Sequence, residues 1–276
     1  MIASLVIAFR EGLEAALIVG IVLSYLSKTG QARHARYAWA GVGAAVLVSV
    51  ALALVIQAIG AELEGPAEPI FEGTMMLLAV GILTWMIFWM RYQSRTLKKS
   101  LEHEIQATIG AGHARGLFAV AFFAVAREGL ETALFLSAAA FATNGTATII
   151  GTILGLGAAV LVGYLIFAST IRLNLRTFFN VTGVLLLLFA AGLFANAIHE
   201  FQEVGLLFTL QEHVWNLSPI LSDESALGQV LKAMIGYNAS PSLEQAVGYV
   251  AYWVFVLVGL RWVVDRRIAR LEAVAA

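Results

Sequence analysis

Long apolar stretches alternate with short polar ones along the chain, and the apolar stretches set the architecture. Runs long enough to cross a bilayer lie at about 2–26, 37–60, 70–90, 115–140, 147–169, 178–199 and 246–264. Each offers close to the roughly 20 residues that an α-helix needs to span about 30 Å of hydrocarbon. A closed β-barrel would need segments of about ten residues with alternating hydrophobicity, a pattern these runs do not follow. A lipid-exposed span must satisfy its own backbone hydrogen bonds, which leaves the helix. The pattern predicts an all-α polytopic membrane protein with seven transmembrane helices in a single transmembrane domain, 1–276.

Composition agrees. The chain is 60% hydrophobic and 13% charged, where a soluble domain carries about a quarter charged residues. It has no cysteine, which excludes disulfides, thiolate metal sites and thiol catalysis. A net charge of −1 without a basic run gives no footprint for nucleic acid. No phosphate-binding Walker sequence is present, so transport powered by ATP hydrolysis within this chain is not expected. The opening "MIASLVIAFREGLEAAL" lacks a basic leader and carries Arg10 and Glu11 inside its apolar run. It is expected to be a membrane helix and not a cleaved signal.

The basic residues sort by side. Lys28, Arg33 and Arg36 follow the first run; Arg91, Arg95, Lys98, Lys99 and Arg115 the third; Arg172 and Arg176 the fifth; Arg261, Arg266, Arg267 and Arg270 the seventh. These are 14 of the 17 Lys and Arg; Arg10 and Arg127 lie within spans, and Lys232 alone falls opposite. The positive-inside rule makes the rich side cytoplasmic, with the N-terminus outside and the C-terminus inside. The far side is acidic, with Glu62, Glu64, Glu68 and Glu72, and then an outer segment 200–245 with six acidic residues. A short interfacial helix is expected to start at the Pro241-Ser242 cap, and the polar stretch 91–115 is expected to be partly helical.

The pentapeptide Arg-Glu-Gly-Leu-Glu occurs at 10–14 and again at 127–131, 117 residues later. "GAAVLV" recurs at 43–48 and 157–162, and "FEGT" at 71–74 is echoed by "FNVT" at 179–182. The chain therefore reads as two three-helix units, about 1–92 and 115–200, plus an extra helix at 246–264. Three being odd, the two units cross in opposite directions. Such inverted repeats are typical of transporters, with the substrate site near the midplane at the repeat interface.

Both pentapeptides sit where charge is disfavoured. A central charged residue costs about 2.5–3.5 kcal/mol on insertion scales, so six carry a gross penalty near 15–20 kcal/mol. On a helix Arg10, Glu11 and Glu14 fall within an arc of about 100°, with Glu14 roughly 16 Å along, near mid-membrane. Arg127, Glu128 and Glu131 repeat the geometry. Gly12 and Gly129 allow close helix approach. Packing of the first helix on the fourth would gather four carboxylates around one axis. Two arginines leave them short of two positive charges, which a multivalent cation would supply. The arginines would then keep the empty site from binding too strongly and help to release the ion. The competing reading is a pair of intrahelical ion pairs that fix packing, or a proton relay. Carboxylates without thiolate or intramembrane His suit Mg²⁺, Ca²⁺, Mn²⁺ or iron, and this chemistry alone does not choose among them.

Two "REGLE" motifs, with "FREGLEAALIV" (9–19), "LTWMIFWMR" (83–91), "FFAVAREGLE" (122–131), "IRLNL" (171–175) and "AAGLFANAI" (190–198), carry a resemblance. The chain resembles the oxidase-dependent iron permeases, most closely the bacterial EfeU-type. The resemblance implies high-affinity iron uptake across the bacterial inner membrane, so that the outer side is periplasmic. It implies Glu11, Glu14, Glu128 and Glu131 as iron ligands, and iron, Fe²⁺ or Fe³⁺, as substrate without an organic cofactor. It also implies a periplasmic partner that oxidises or delivers iron. Some relatives carry lead.

Several residues invite secondary roles. Glu72, His199, Glu203 and Glu212 are candidates for an iron-receiving site at the outer mouth, against a reading as solvated helix ends. The "EHE" at 102–104 and His113 read as a solvated linker or an exit site. Trp39, Trp85, Trp89, Trp253 and Trp262 read as interfacial anchors. Gly151-x-x-x-Gly155 is a helix-packing surface that would also suit a homo-oligomer. The rival functions are a transporter for lead or manganese, a passive cation channel, and a di-iron carboxylate enzyme. Di-iron centres pair Glu-x-x-His motifs on neighbouring helices, whereas both motifs here are Glu-x-x-Glu.

Overall fold

All four prolines fall at a helix start or in a connector: Pro66 and Pro69 around the start of the third helix, Pro219 and Pro241 after the sixth. No long apolar run is therefore interrupted by a missing N–H, and each continues as one helix. The computed structural model describes residues 1–93, 116–143, 145–168, 175–223 and 225–275. Its elements are α1 (Ile2–Lys28), α2 (Ala35–Glu62), α3 (Ala67–Gln93), α4 (Gly116–Ala142), α5 (Gly145–Ala168), α6 (Leu175–Glu203), a short α7 (Ala226–Ile235) and α8 (Leu243–Ala275). A one-turn 3₁₀ segment, Ala32–His34, precedes α2. Among the described residues there is no strand.

Five of these helices are long and apolar enough to cross a membrane: the segments Ala32–Glu62, Ala67–Trp89, Gly145–Phe167, Thr177–Glu203 and Leu243–Arg261. α1 and α4, of 27 residues each, match them in length but carry the charged pentapeptides. Arg95, Lys98, Lys99, Arg115, Arg172, Glu224, the "EHE" at 102–104 and His113 lie outside the described residues.

α1 packs most extensively on α5, α2 on α4, and α3 on α6; α1 also meets α4, and α6 meets α8. The α1–α5 pair runs parallel, since Gly155 lies against Leu5 and Ala8, Gly12 against Ala159, and Gly163 against Ala16. The Gly151-x-x-x-Gly155 surface is thus taken up inside the chain, against Met1 to Phe9, and a homo-oligomer finds no support there. α2 and α4 are also parallel: Gly41 lies against Phe118 and Ala121, and Ser49 against Gly129. α1, α3, α4, α6 and α8 share one apolar core that includes Ile7, Met76, Leu83, Phe135, Leu193 and Val256. α2 and α5 turn Leu47, Leu54, Ile153 and Val160 outward, as lipid-facing helices do.

The connector from α6 to α8 departs from expectation. The Pro241-Ser242 cap opens α8 itself, with the Ser242 hydroxyl accepting from the Gln245 N–H at 3.2 Å, and no separate interfacial helix begins there. The short helix is α7 instead. Ser225 caps its start by accepting from Gly228 N–H at 3.0 Å, and Gly236 ends it at φ +69°, a left-handed conformation suited to glycine. The two ends of the connector are tied together. Gln202 receives the Ser242 hydroxyl at 2.9 Å and donates to Glu244 at 2.9 Å, and Glu244 accepts the Leu210 N–H at 2.7 Å.

Candidate metal centre

Positions 10, 11 and 14 share one side of α1, and 127, 128 and 131 one side of α4, because residues three and four apart are neighbours on a helix. Where the two helices meet, Glu11, Glu128 and Glu131 each bring a carboxylate oxygen within 4.8 Å of the others. Among the described residues this is the one group of three or more acidic or His side chains so placed. All three are shielded: side-chain exposure is 0% for Glu11, 5% for Glu128 and 12% for Glu131. Each keeps its Oε2 buried and without a hydrogen-bond partner. Buried carboxylate oxygens without a partner, on three side chains that also converge, are costly unless a cation meets the group.

Glu14 was expected in the same set and is not one of the converging three. Its Oε1 lies 2.9 Å from Arg10 Nη2 as an ion pair yet accepts no hydrogen bond, so it too is a buried oxygen without a hydrogen-bond partner. Arg10 also donates to Glu11 Oε1 at 2.5 Å and to the sulfur of Met86 at 3.3 Å, and its side chain is 2% exposed. Arg127 is placed differently. Its Nε lies 3.1 Å from Glu131 and 3.7 Å from Glu128, its side chain is 40% exposed, and its guanidinium carbon sits 4.8 Å over the ring of Trp89. Trp89, read from sequence as an interfacial anchor, therefore touches the site. No pattern in the sequence marks it, because only tertiary packing brings α3 under Arg127.

The glycines of the two motifs also differ in what they meet. "GVGAAVLV" (41–48) and "GLGAAVLV" (155–162) put Ala45 and Ala159 in matching places. A Cβ on Gly12 would lie 2.9 Å from Ala159 Cβ, whereas one on Gly129 would strike Ser49, four residues past Ala45. The two interfaces are thus out of register by one helical turn, about 6 Å.

The residues expected at the outer mouth are partly gathered. His199 Nε2 lies 3.3 Å from Glu203 Oε1, both about half-exposed. Glu72 lies within electrostatic reach of Glu68 and Glu203, and Glu200 of Glu72, Glu203 and Lys232. Glu68, Glu200 and Lys232 were not singled out from sequence as members of such a group. Glu212 is exposed on the connector.

A family model described as the Iron permease FTR1 family matches residues 1–270. The chain is 40% identical over 260 residues to the ferrous iron permease EfeU of Escherichia coli O6:H1, covering 94% of each chain. The ferrous iron permease EfeU of Yersinia pestis is likewise 40% identical over 260 residues, covering 94% of this chain and 92% of the relative. No solved structure gives a significant match. The chain belongs to the iron permease FTR1 family.

Proposed function

We propose that this family member carries iron through the bacterial inner membrane into the cytoplasm, binding it at mid-membrane between α1 and α4. Glu11, Glu128 and Glu131 are the ligands in this reading, Glu14 is an auxiliary carboxylate, and Arg10 and Arg127 are counter-charges. The observation that carries it is the convergence of three carboxylates, two buried and one largely buried, each with a buried unpartnered oxygen. Four Glu against two Arg leave a formal charge of −2, which one Fe²⁺ neutralises. The relatives are named for ferrous iron. Two inward charges gain about 4.6 kcal/mol per 100 mV of membrane potential.

The inverted-repeat reading draws support from the contacts. If α1 corresponds to α4 and α2 to α5, the α1–α5 pair corresponds to the α4–α2 pair, and these are the two largest helix interfaces. The Lys/Arg asymmetry supports a periplasmic N-terminus and a cytoplasmic C-terminus. The acidic group around Glu72 and Glu203 would then face the periplasm, where a partner would deliver iron. A di-iron enzyme is favoured less, since the converging group holds no His.

The test is uptake into proteoliposomes, normalised to inserted protein, with Fe²⁺, Fe³⁺, Mn²⁺ and Pb²⁺ offered separately. Iron should be taken up in preference to Mn²⁺ and Pb²⁺, and Glu128→Gln should abolish uptake. Near-normal specific uptake in both Glu11→Gln and Glu128→Gln would end the reading.

A further inference from the structure

Both arginines of the two pentapeptides are contacted by one helix that carries neither pentapeptide. On α3, the Met86 sulfur accepts a hydrogen bond from Arg10 at 3.3 Å, and the Trp89 ring lies under the Arg127 guanidinium at 4.8 Å. Three residues apart, the two share one face of the helix. Met86 is fully buried. Trp89 stacks in turn on Trp85, with ring centroids 5.9 Å apart and planes 20° from parallel. The places on α6 that correspond to 86 and 89, counted from Phe71 and Phe179, hold Phe194 and Ala197. Phe194 stacks on Tyr252 and Ala197 is buried. The matching places on α6 thus carry neither a thioether nor an indole.

We propose that Trp89 and Met86 are positioning residues that set the affinity of the carboxylate site by holding Arg127 and Arg10. The proposal rests on the reading of Glu11, Glu128 and Glu131 as the ion's ligands. Arg127 has three attractive neighbours, the carboxylates of Glu128 and Glu131 and the electron-rich face of Trp89. An aromatic face holds a guanidinium without taking a lone pair from any carboxylate. With the cation drawn toward the ring, Glu128 keeps only the long 3.7 Å contact to Arg127, and its Oε2 stays unpartnered. Without the ring, Arg127 settles onto Glu128 and Glu131 and competes with the incoming ion. When the ion arrives and repels the guanidinium, the ring gives it somewhere to remain. Met86 acts on Arg10 in the same sense and more weakly, because a thioether is a poor acceptor and Arg10 is already committed to Glu11 and Glu14.

The experiment is Fe²⁺ uptake by full-length protein in proteoliposomes, normalised to inserted protein, with half-saturation and maximal rate measured separately. Trp89→Leu should raise the half-saturation concentration about three- to tenfold, the size expected of a lost cation–π contact, and leave the maximal rate within about twofold. Trp89→Phe should recover most of the loss, and Met86→Leu should shift half-saturation about twofold at most. In an Arg127→Gln background, Trp89→Leu should add nothing, since the ring acts only through the guanidinium. An unchanged half-saturation in Trp89→Leu, a Phe variant no better than Leu, or full additivity with Arg127→Gln would each overturn the proposal. Should Trp89→Leu fail to insert, Trp89→Phe against wild type, alone and with Arg127→Gln, carries the same test. Glu128→Gln separates the two readings. If it abolishes uptake while the Trp89 variants behave as wild type, only the positioning role falls; if it transports normally, the site itself is wrong.

Discussion

The same five residues, Arg-Glu-Gly-Leu-Glu, occupy two different environments in this molecule. In α1, Arg10 is sealed, paired to both of its own glutamates and capped by Met86. In α4, Arg127 is 40% exposed along its side chain, holds Glu131 at 3.1 Å and Glu128 only at 3.7 Å, and rests on Trp89. One copy contributes a single carboxylate to the converging trio and the other contributes two. A repeated motif thus supplies matched residues, and what packs beside each copy differs. α3 meets one arginine with Met86 and the other with Trp89, while the matching places on α6 hold Phe194 and Ala197.

The largest effects should separate the trio from Glu14. Glu11→Gln, Glu128→Gln and Glu131→Gln each keep side-chain volume and remove a carboxylate charge, and should cut specific iron uptake at least about a hundredfold (two lost decades correspond to about 2.7 kcal/mol). Glu14→Gln should retain measurable transport. Equal losses in all four would erase the two-to-one division. Next comes the contrast between the arginines. Arg10→Ala leaves buried carboxylates without their cation and should lower the yield of folded protein sharply, since breaking a buried pair costs about 3–5 kcal/mol. Arg10→Lys should be milder, keeping a charge but losing the fork. Arg127→Ala should leave more folded protein than Arg10→Ala in detergent, with the defect showing in transport instead. Equal yields would mean that their burial does not distinguish them.

A smaller effect tests the one-turn offset. Gly12→Ala should lower thermal stability, as overpacking does by about 1–3 kcal/mol, and Ala159→Gly should relieve it. Gly129→Ala should be relieved by Ser49→Gly and not by Ala45→Gly. Rescue through Ala45 would put the two interfaces in the same register. The smallest effects belong to the mouth: Ala at Glu72, Glu203 or Glu212 should raise half-saturation by about two- to threefold, as loss of a screened surface charge does, with the maximal rate unchanged. No shift in any of the three would leave them as solvated carboxylates.

Hydropathy made the long helices legible, to within two or three residues at most ends. The run expected at 115–140 is Gly116–Ala142, while the last helix, expected at 246–264, is Leu243–Ala275. A helix continues past its apolar stretch wherever its own backbone bonds suffice, and hydropathy does not register that extension. The candidate carboxylates were also legible, because charge within an apolar run is conspicuous. The separation of Glu14 from the other three was not, since identical pentapeptides cannot announce different neighbours. Nor was Trp89, as aromatic residues near helix ends are common in membrane proteins and only the packing of α3 under α4 gives this one a partner. Gly151 and Gly155 were correctly read as a packing surface, but the pattern of small residues does not say which helix it receives.

The two ends of the connector between α6 and α8 are joined by hydrogen bonds among Gln202, Leu210, Ser242 and Glu244, and within it Gly236 packs against Gly192 of α6. Because its ends are already clamped, the entropy of closing it depends only weakly on what lies between them; doubling a flexible loop costs roughly 0.6 kcal/mol. The tip around Ile220, which is 84% exposed, can therefore lengthen at little thermodynamic expense. A change of length at this tip therefore need not disturb the carboxylates between α1 and α4.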